Sequence, residues 1–306
     1  MPAEIFGEKY EFLKREKILT FEEITRLTRV IVRLGAVKLR LTGGEPLIRQ
    51  EIEGLVGQLA QIDDVHDIAM TTNAYLLPKK AHQLKEAGLQ RVTVSLDSLD
   101  NDVFRQMNGG RAEVDQVLEG IRAAEAAGLT PIKINCVVQR GVNDHTILDM
   151  ARFCKDNGYI LRFIEYMDVG TVNGWRMDHV VPAKEIVERI HAVLPLEPVA
   201  RNYSSETALR FQYTDNGGEI GVIASVTRPF CGNCTRMRLS PEGSIYTCLF
   251  ATEGTDLKTP LRDGATDDEI EAIIRNTWGA RIDRYSEERG SVERSREKIE
   301  MYYIGG

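Results

Sequence analysis

Cys231, Cys234 and Cys248 lie in the segment CGNCTRMRLSPEGSIYTC, two of them at CxxC spacing and the third after thirteen intervening residues. Thiolates spaced this way bind zinc or iron–sulfur clusters, and such sites normally draw four ligands from the protein. The nearest histidine, His191, lies far upstream. Two chemistries stay open on the residues alone. One is a structural zinc whose fourth ligand comes from elsewhere. The other is a cubane cluster with one iron left open for an exogenous ligand, the open coordination that a reactive metal site keeps. Cys136 and Cys154 fall in a strand pattern and a helix pattern and are expected in the core.

A second group of residues is cationic. Lys38, Arg40, Lys133 and Arg162 sit in strand patterns, and Arg236 and Arg238 follow the CxxC directly, two apart on one expected strand face. Any one of these alone reads as a solvated surface charge. Several strand-borne cations converging in an acidic protein point to a polyanionic small molecule such as a nucleoside triphosphate. The chain has no GxxxxGK[ST] run, so a P-loop is not the means of holding it. The TGGEP run, Thr42 to Pro46, follows a strand and precedes a helix. Its glycines permit a tight turn, and barrel sites assemble at such strand ends.

These side chains need a frame. Thr20 and Glu23 form a capping-box pattern ahead of Ile24, Leu27, Ile31 and Leu34, with Gly35 as the stop. The strand VKLRLT follows, and the order helix, glycine, strand recurs at RVTVSLD, IKINCVV and ILRFIEYM, with DIAMTTN as a fifth strand. This is an α/β repeat with a parallel sheet. A doubly wound sheet reads as near-continuous apolar strands. Here Lys38, Arg40 and Thr42 alternate with apolar residues, as do Thr93, Ser95 and Asp97, and Lys133 and Asn135. One polar face suggests a lumen, so a partial (β/α) barrel is expected over 1–168. After the loop 168–174 come a helix in VPAKEIVERIHAVL, a hairpin in FQYTDNGGEIGVIAS, a second hairpin turning at Pro241 to Gly243, and a helix from Asp267. These are expected to form a smaller α+β domain, 169–306.

Composition narrows the function classes. The 306 residues are 42% hydrophobic and 28% charged, ordinary for a globular protein. No run reaches the roughly 18 apolar residues that a membrane helix needs, and MPAEIFGEKY lacks a signal-peptide pattern. A net charge of −7 argues against general affinity for nucleic acid. Five cysteines, an odd number, fit a reducing compartment, so a cytoplasmic protein with neither membrane nor nucleic-acid partners is expected.

Together, KLRLTGGEPLIR, TTNAYLL, RVTVSLDSLD, IKINCVVQRGVND, RFIEYMD, FCGNCTRMRLSPEGSIYTCLF and the terminal IGG resemble the GTP 3′,8-cyclase family of molybdenum cofactor biosynthesis, whose members are radical S-adenosylmethionine (SAM) enzymes. The resemblance runs the length of the chain. It implies that Cys231, Cys234 and Cys248 hold a 4Fe–4S cluster whose open iron meets the guanine of GTP, so that the substrate is the fourth ligand. It implies that Arg40, Thr71, Lys133 and the run Arg236, Met237 and Arg238 hold GTP, with Lys38 and Arg162 beside them. Gly44, Ser95 and Met167 match SAM-contacting positions, and Gly305 and Gly306 match a tail that reaches into the active site. An electron donor and the next enzyme of the pathway are implied as partners, and a homodimer is compatible with the family.

One departure stands out. The family's SAM-cleaving 4Fe–4S cluster is held by CxxxCxxC, whose last cysteine directly precedes a Met-Pro pair, and this sequence opens with Met1 and Pro2. As given it lacks those ligands and the first barrel strand. The expectation is a chain that does not cleave SAM and that aggregates along the exposed strand edge. The alternatives are a non-catalytic GTP- or metal-binding protein, or a radical SAM enzyme that acts on peptides through an auxiliary cluster.

Overall fold

The structure is a computed structural model that describes residues 15–170, 174–289 and 299. Helix α1 (Phe21–Arg33) starts as its sequence requires: Glu23 N donates to Thr20 Oγ1, and Thr20 N to the Glu23 carboxylate. Then β1 (Lys38–Leu41), α2 (Ile52–Ala60), β2 (Asp67–Thr72), α3 (Leu77–Glu86) and β3 (Arg91–Ser95) follow in strict alternation. The chain continues through α4 (Asn101–Asn108), α5 (Val114–Ala126), β4 (Lys133–Val138), α6 (Ile147–Asp156) and β5 (Ile160–Glu165). All five expected strands form, and β1 to β5 pair in parallel in sequence order.

The sheet does not stop at residue 168. After α7 (Ala183–His191) come β6 (Leu196–Val199), β7 (Leu209–Tyr213) and β8 (Glu219–Ile223). β8 pairs in parallel with β5, and β7 and β6 continue antiparallel, giving the order β1-β2-β3-β4-β5-β8-β7-β6. The first hairpin, expected in the smaller domain, therefore extends the main sheet. Its turn geometry was legible, but which edge it would join was not, because β8 has the same apolar pattern as the strands before it.

The outward strand faces carry Ile68, Met70, Val92, Val94, Ile134, Leu161 and Phe163 into a core shared with α2, α3, α5 and α6. Cys136 and Cys154 are buried there, as their patterns suggested. α5 comes very close to the end of β2: a Cβ placed on Gly120 would sit 2.2 Å from the Ala74 carbonyl oxygen.

A second unit follows. The strands β9 (Arg238–Leu239), β10 (Ser244–Tyr246) and β11 (Thr255–Asp256) form a small antiparallel sheet, accompanied by α8 (Lys258–Arg262), α9 (Asp267–Gly279) and α10 (Tyr285–Glu288). Its core joins Ile245, Leu257, Leu261, Ile270 and Ile274 to Leu19, Leu27 and Val30. α1 thus supplies one wall of the second core while Val32, at its far end, packs in the first.

Candidate functional site

Alternation places the strand cations on the inner sheet face, and the register brings them level. Lys38 pairs with Asp67, Ala69 with Arg91, Thr93 with Lys133, and Asn135 with Arg162. Lys38, Arg40, Lys133 and Arg162 line one cavity of about 550 Å³, together with Asp67, Arg91, Pro131, Asn202, Tyr203 and Glu206. Residues of β1 and β5 facing one cavity require the sheet to curl, which is the partial barrel.

Each cation is placed differently. Arg40 Nη1 donates to Thr71 Oγ1 at 2.8 Å and to Thr93 Oγ1 at 3.2 Å, so hydroxyls of two neighbouring strands fix its guanidinium. Lys38 Nζ lies 4.1 Å above the Tyr203 ring. Gly221 of β8 pairs with Arg162 across the sheet. Among the described residues Lys133 and Arg162 have no hydrogen-bonded or ion-paired side-chain partner. Burial, then the guanidiniums of Arg162 and Arg91, pulls the Lys133 ammonium down to about 8. Burial, then Arg91 and Arg162, likewise depresses Arg40 to about 10. Crowded, partly desolvated cations of this kind favour an anion among them. Two inward atoms are also buried without a partner, Arg91 Nη1 and Asn135 Oδ1.

Sequence reasoning did not include Asp67, Arg91, Asn202, Tyr203 and Glu206 in the site. Arg91 had a signal, being two residues ahead of Thr93 on the same face, and Asp67 had the same relation to Thr71 through Ala69. The 202–206 loop had none, because only the fold carries it back under the strands.

At the carboxyl ends of the strands the residues are more open. Gly44 and Ser95 are exposed, and Met167 is half-buried just beyond β5. The acid of TGGEP is committed to structure. The Glu45 carboxylate accepts from Leu47 N at 3.0 Å, Thr72 Oγ1 at 2.8 Å and Asn73 N at 2.7 Å, tying the glycine turn to the end of β2. Gly305 and Gly306 lie outside the described residues.

The cysteine hairpin closes as its spacing suggested. Tyr246 faces Arg238 across β9 and β10, which carries Cys248 back toward the CxxC turn. The three thiols are free and half-buried, and Cys248 lies within reach of the charges of Cys231 and Arg238. Burial opposes ionisation of Cys234. The Arg236 charge, the hydrogen bond of Arg236 Nε to Cys234 Sγ at 3.2 Å and the Arg281 charge outweigh it, and the thiol falls below its usual range. Burial raises Cys248. Arg281 Nη1 also donates to the Cys234 carbonyl oxygen at 2.5 Å.

One expectation for this hairpin is corrected. Arg236 lies in the exposed turn before β9 instead of on the strand, since pairing begins only at Arg238. Met237 packs against the second apolar core. Neither Arg236 nor Arg238 lines the cation cavity.

Among the described residues no three His, Cys, Asp or Glu side chains converge on a single ion. The thiolate is the form that binds a cluster, and the charges of Arg236 and Arg281 favour it at Cys234, so the donor chemistry suits a cluster although the three thiols do not converge. Cys136 and Cys154 do not fit a second one, each being packed in the core with a thiol raised by burial, Cys154 to about 12.

Two family models match the chain, the Radical SAM superfamily over residues 5–154 and Molybdenum Cofactor Synthesis C over 159–287. A GTP 3′,8-cyclase of Acidothermus cellulolyticus is 49% identical over 331 aligned residues, covering 100% of this chain and 91% of the relative. The chain belongs to the GTP 3′,8-cyclase family. Cyclases of Xanthomonas campestris pv. campestris, at 48% identity with 89% of the relative covered, and Staphylococcus haemolyticus, at 45% with 91% covered, match 100% of it as well. The solved structure of native anSMEcpe with bound AdoMet and Cp18Cys peptide shares the fold, with a TM-score of 0.50 at 16% identity over 79% of this chain and 68% of that one. No helix among the described residues is long and apolar enough to cross a membrane.

Proposed function

We propose that this chain is a GTP 3′,8-cyclase that holds GTP along the inner face of the partial barrel, with the triphosphate among Lys38, Arg40, Lys133 and Arg162. The observation that carries this reading is the cavity itself. Five inward cations meet there, Arg91 being the fifth, and Lys133 and Arg162 have no hydrogen-bonded or ion-paired partner among the described residues. A triphosphate supplies the missing negative charge, and guanidinium and ammonium groups are its natural partners. Thr71 acts through Arg40, whose Nη1 it holds.

Cys231, Cys234 and Cys248 would hold the 4Fe–4S cluster, with Arg236 and Arg238 beside it and the guanine at its open iron. Gly44, Ser95 and Met167 would contact SAM, and the Gly305–Gly306 tail would enter the site. In the family, SAM and a second 4Fe–4S cluster supply the radical chemistry that joins ribose C3′ to guanine C8; Cys136 and Cys154, packed in the core, do not fit as ligands of that cluster. The protein's residues bind, orient and neutralise. In this division the parallel strands supply the SAM side and, with the 202–206 loop, the phosphate end, and the cysteine-bearing unit supplies the guanine side. The cytoplasm, an electron donor and the following enzyme of molybdenum cofactor synthesis complete the setting.

Calorimetry on anaerobically reconstituted protein tests the reading. GTP is expected to bind more tightly than guanosine, and to change the electron paramagnetic resonance spectrum of the reduced cluster. Equal affinity for the two ligands, or a spectrum indifferent to GTP, would overturn it.

A further inference from the structure

Arg91 opens β3 level with Ala69 of β2, two residues before Thr93, which pairs with Lys133. Its Nε donates to Asp67 Oδ1 at 3.0 Å and its Nη2 to Asp67 Oδ2 at 2.5 Å. That two-point grip fixes the plane of the guanidinium, because a fork on a carboxylate defines orientation as well as distance. The remaining nitrogen, Nη1, is buried and donates to nothing. A buried guanidinium donor left unpaired is costly, and such atoms are rarely left so without a ligand or water. Both members of the pair line the cavity. The charge of Arg91 also acts on Arg40, Lys133 and Arg162, so it lies in the same electrostatic field as the other cations.

An ordinary structural ion pair would not need this placement. The Arg91–Asp67 pair lies on the polar inner face, and its side chains are 18% and 20% exposed. If the pair served only to lock β2 to β3, backbone pairing across four residues already does that. Both side chains line the cavity, and Nη1 is the guanidinium nitrogen that Asp67 leaves without a partner.

We propose that Arg91 is a phosphate-positioning residue, with Asp67 aiming its Nη1 at an oxygen of the nucleotide's phosphate chain. This rests on the reading that the cavity holds the triphosphate end of GTP. Arg91 adds a directed donor to the positive charge that the other cations supply.

The test measures GTP and guanosine affinity by calorimetry for the reconstituted protein and for Arg91→Met and Arg91→Lys, with thermal unfolding recorded for each. Arg91→Met is expected to weaken GTP about tenfold, the loss of one charge-assisted hydrogen bond, and to leave guanosine unchanged. Arg91→Lys keeps the charge but cannot both grip Asp67 and reach inward, so it is expected to recover only part of the GTP affinity. Should Arg91→Met fail to fold, Arg91→Lys decides alone. Unchanged GTP affinity in the folded variants overturns the proposal. Equal loss for GTP and guanosine also overturns it, since that is the signature of a structural role. If the unsubstituted protein binds GTP no better than guanosine, the cavity assignment itself fails and takes this proposal with it.

Discussion

Arg289 Nε donates to Asp168 Oδ1 at 2.8 Å, joining the segment after β5 to the segment after α10. Tyr285 hydroxyl donates to Asp168 Oδ2 at 2.5 Å, and the Arg289 guanidinium lies over the rings of Trp175, Phe250 and Tyr285. The two charged side chains are only 11% and 12% exposed. The pair therefore fastens the cysteine-bearing unit to the mouth of the barrel, one residue from Met167.

Removing one half of such a buried pair strands the other. Asp168→Ala is expected to destabilise the fold by roughly 3–5 kcal/mol, as seen when buried ion pairs are broken. Urea unfolding checks this. The double variant Asp168→Ala with Arg289→Met should lose less than the sum of the single losses, because neither charge is then stranded. Strict additivity would mean that the two groups do not act as a pair.

Lys133 gives a pH dependence with two opposite signs. Its folded-state value, about 8, lies below the unfolded-state value near 10.5. Between these the unfolded chain binds more protons, so this group makes the ligand-free fold more stable as pH rises from 8 toward 10. GTP affinity should move the other way, falling as pH passes 8 and the ammonium is lost. Affinity and unfolding measured across pH 7–9.5 check both signs, and Lys133→Met should flatten both slopes.

Anaerobic reconstitution should load about one 4Fe–4S cluster per chain at the cysteine hairpin. Cys248→Ala removes one of three ligands and is expected to abolish it, which iron and sulfide analysis will report. Stoichiometric zinc with no sulfide in the unsubstituted protein would reject the cluster.

Gly120→Ala tests the packing that holds the end of β2. The added methyl would meet the Ala74 carbonyl oxygen at 2.2 Å, and backbone cannot yield as a flexible side chain can. A loss of roughly 1–3 kcal/mol is expected, the usual cost of overpacking. An unchanged denaturation midpoint would show that α5 can shift outward freely.

Much of this molecule was legible because its signals are local. Thr20 with Glu23 specifies a helix start, and alternation in VKLRLT and RVTVSLD specifies which side chains face inward. The cation cavity followed from that alternation. What escaped depends on contacts distant in sequence. β8 joins β5 through backbone groups, which carry no residue code. Tyr203 and Glu206 reach the cavity through a loop return that no period encodes. Met237 sits between two arginines, yet its side chain follows the apolar core beneath β10.

Glu165 closes β5, and its buried carboxylate accepts from Ala183 N at 2.7 Å, Val226 N at 2.7 Å, Thr227 N at 2.8 Å and the Thr227 hydroxyl. The two family models meet just upstream, between residues 154 and 159, in the turn from α6 to β5. The seam between sequence modules is therefore not a seam in the fold. β5 pairs with β4 on one side and β8 on the other, and its last side chain binds two later segments. Halves exchanged between relatives at that point would have to inherit matching strand edges and all four donors to one carboxylate. A chimera joined there would cut the sheet between β5 and the segments that complete it, so the two modules are one unit of folding.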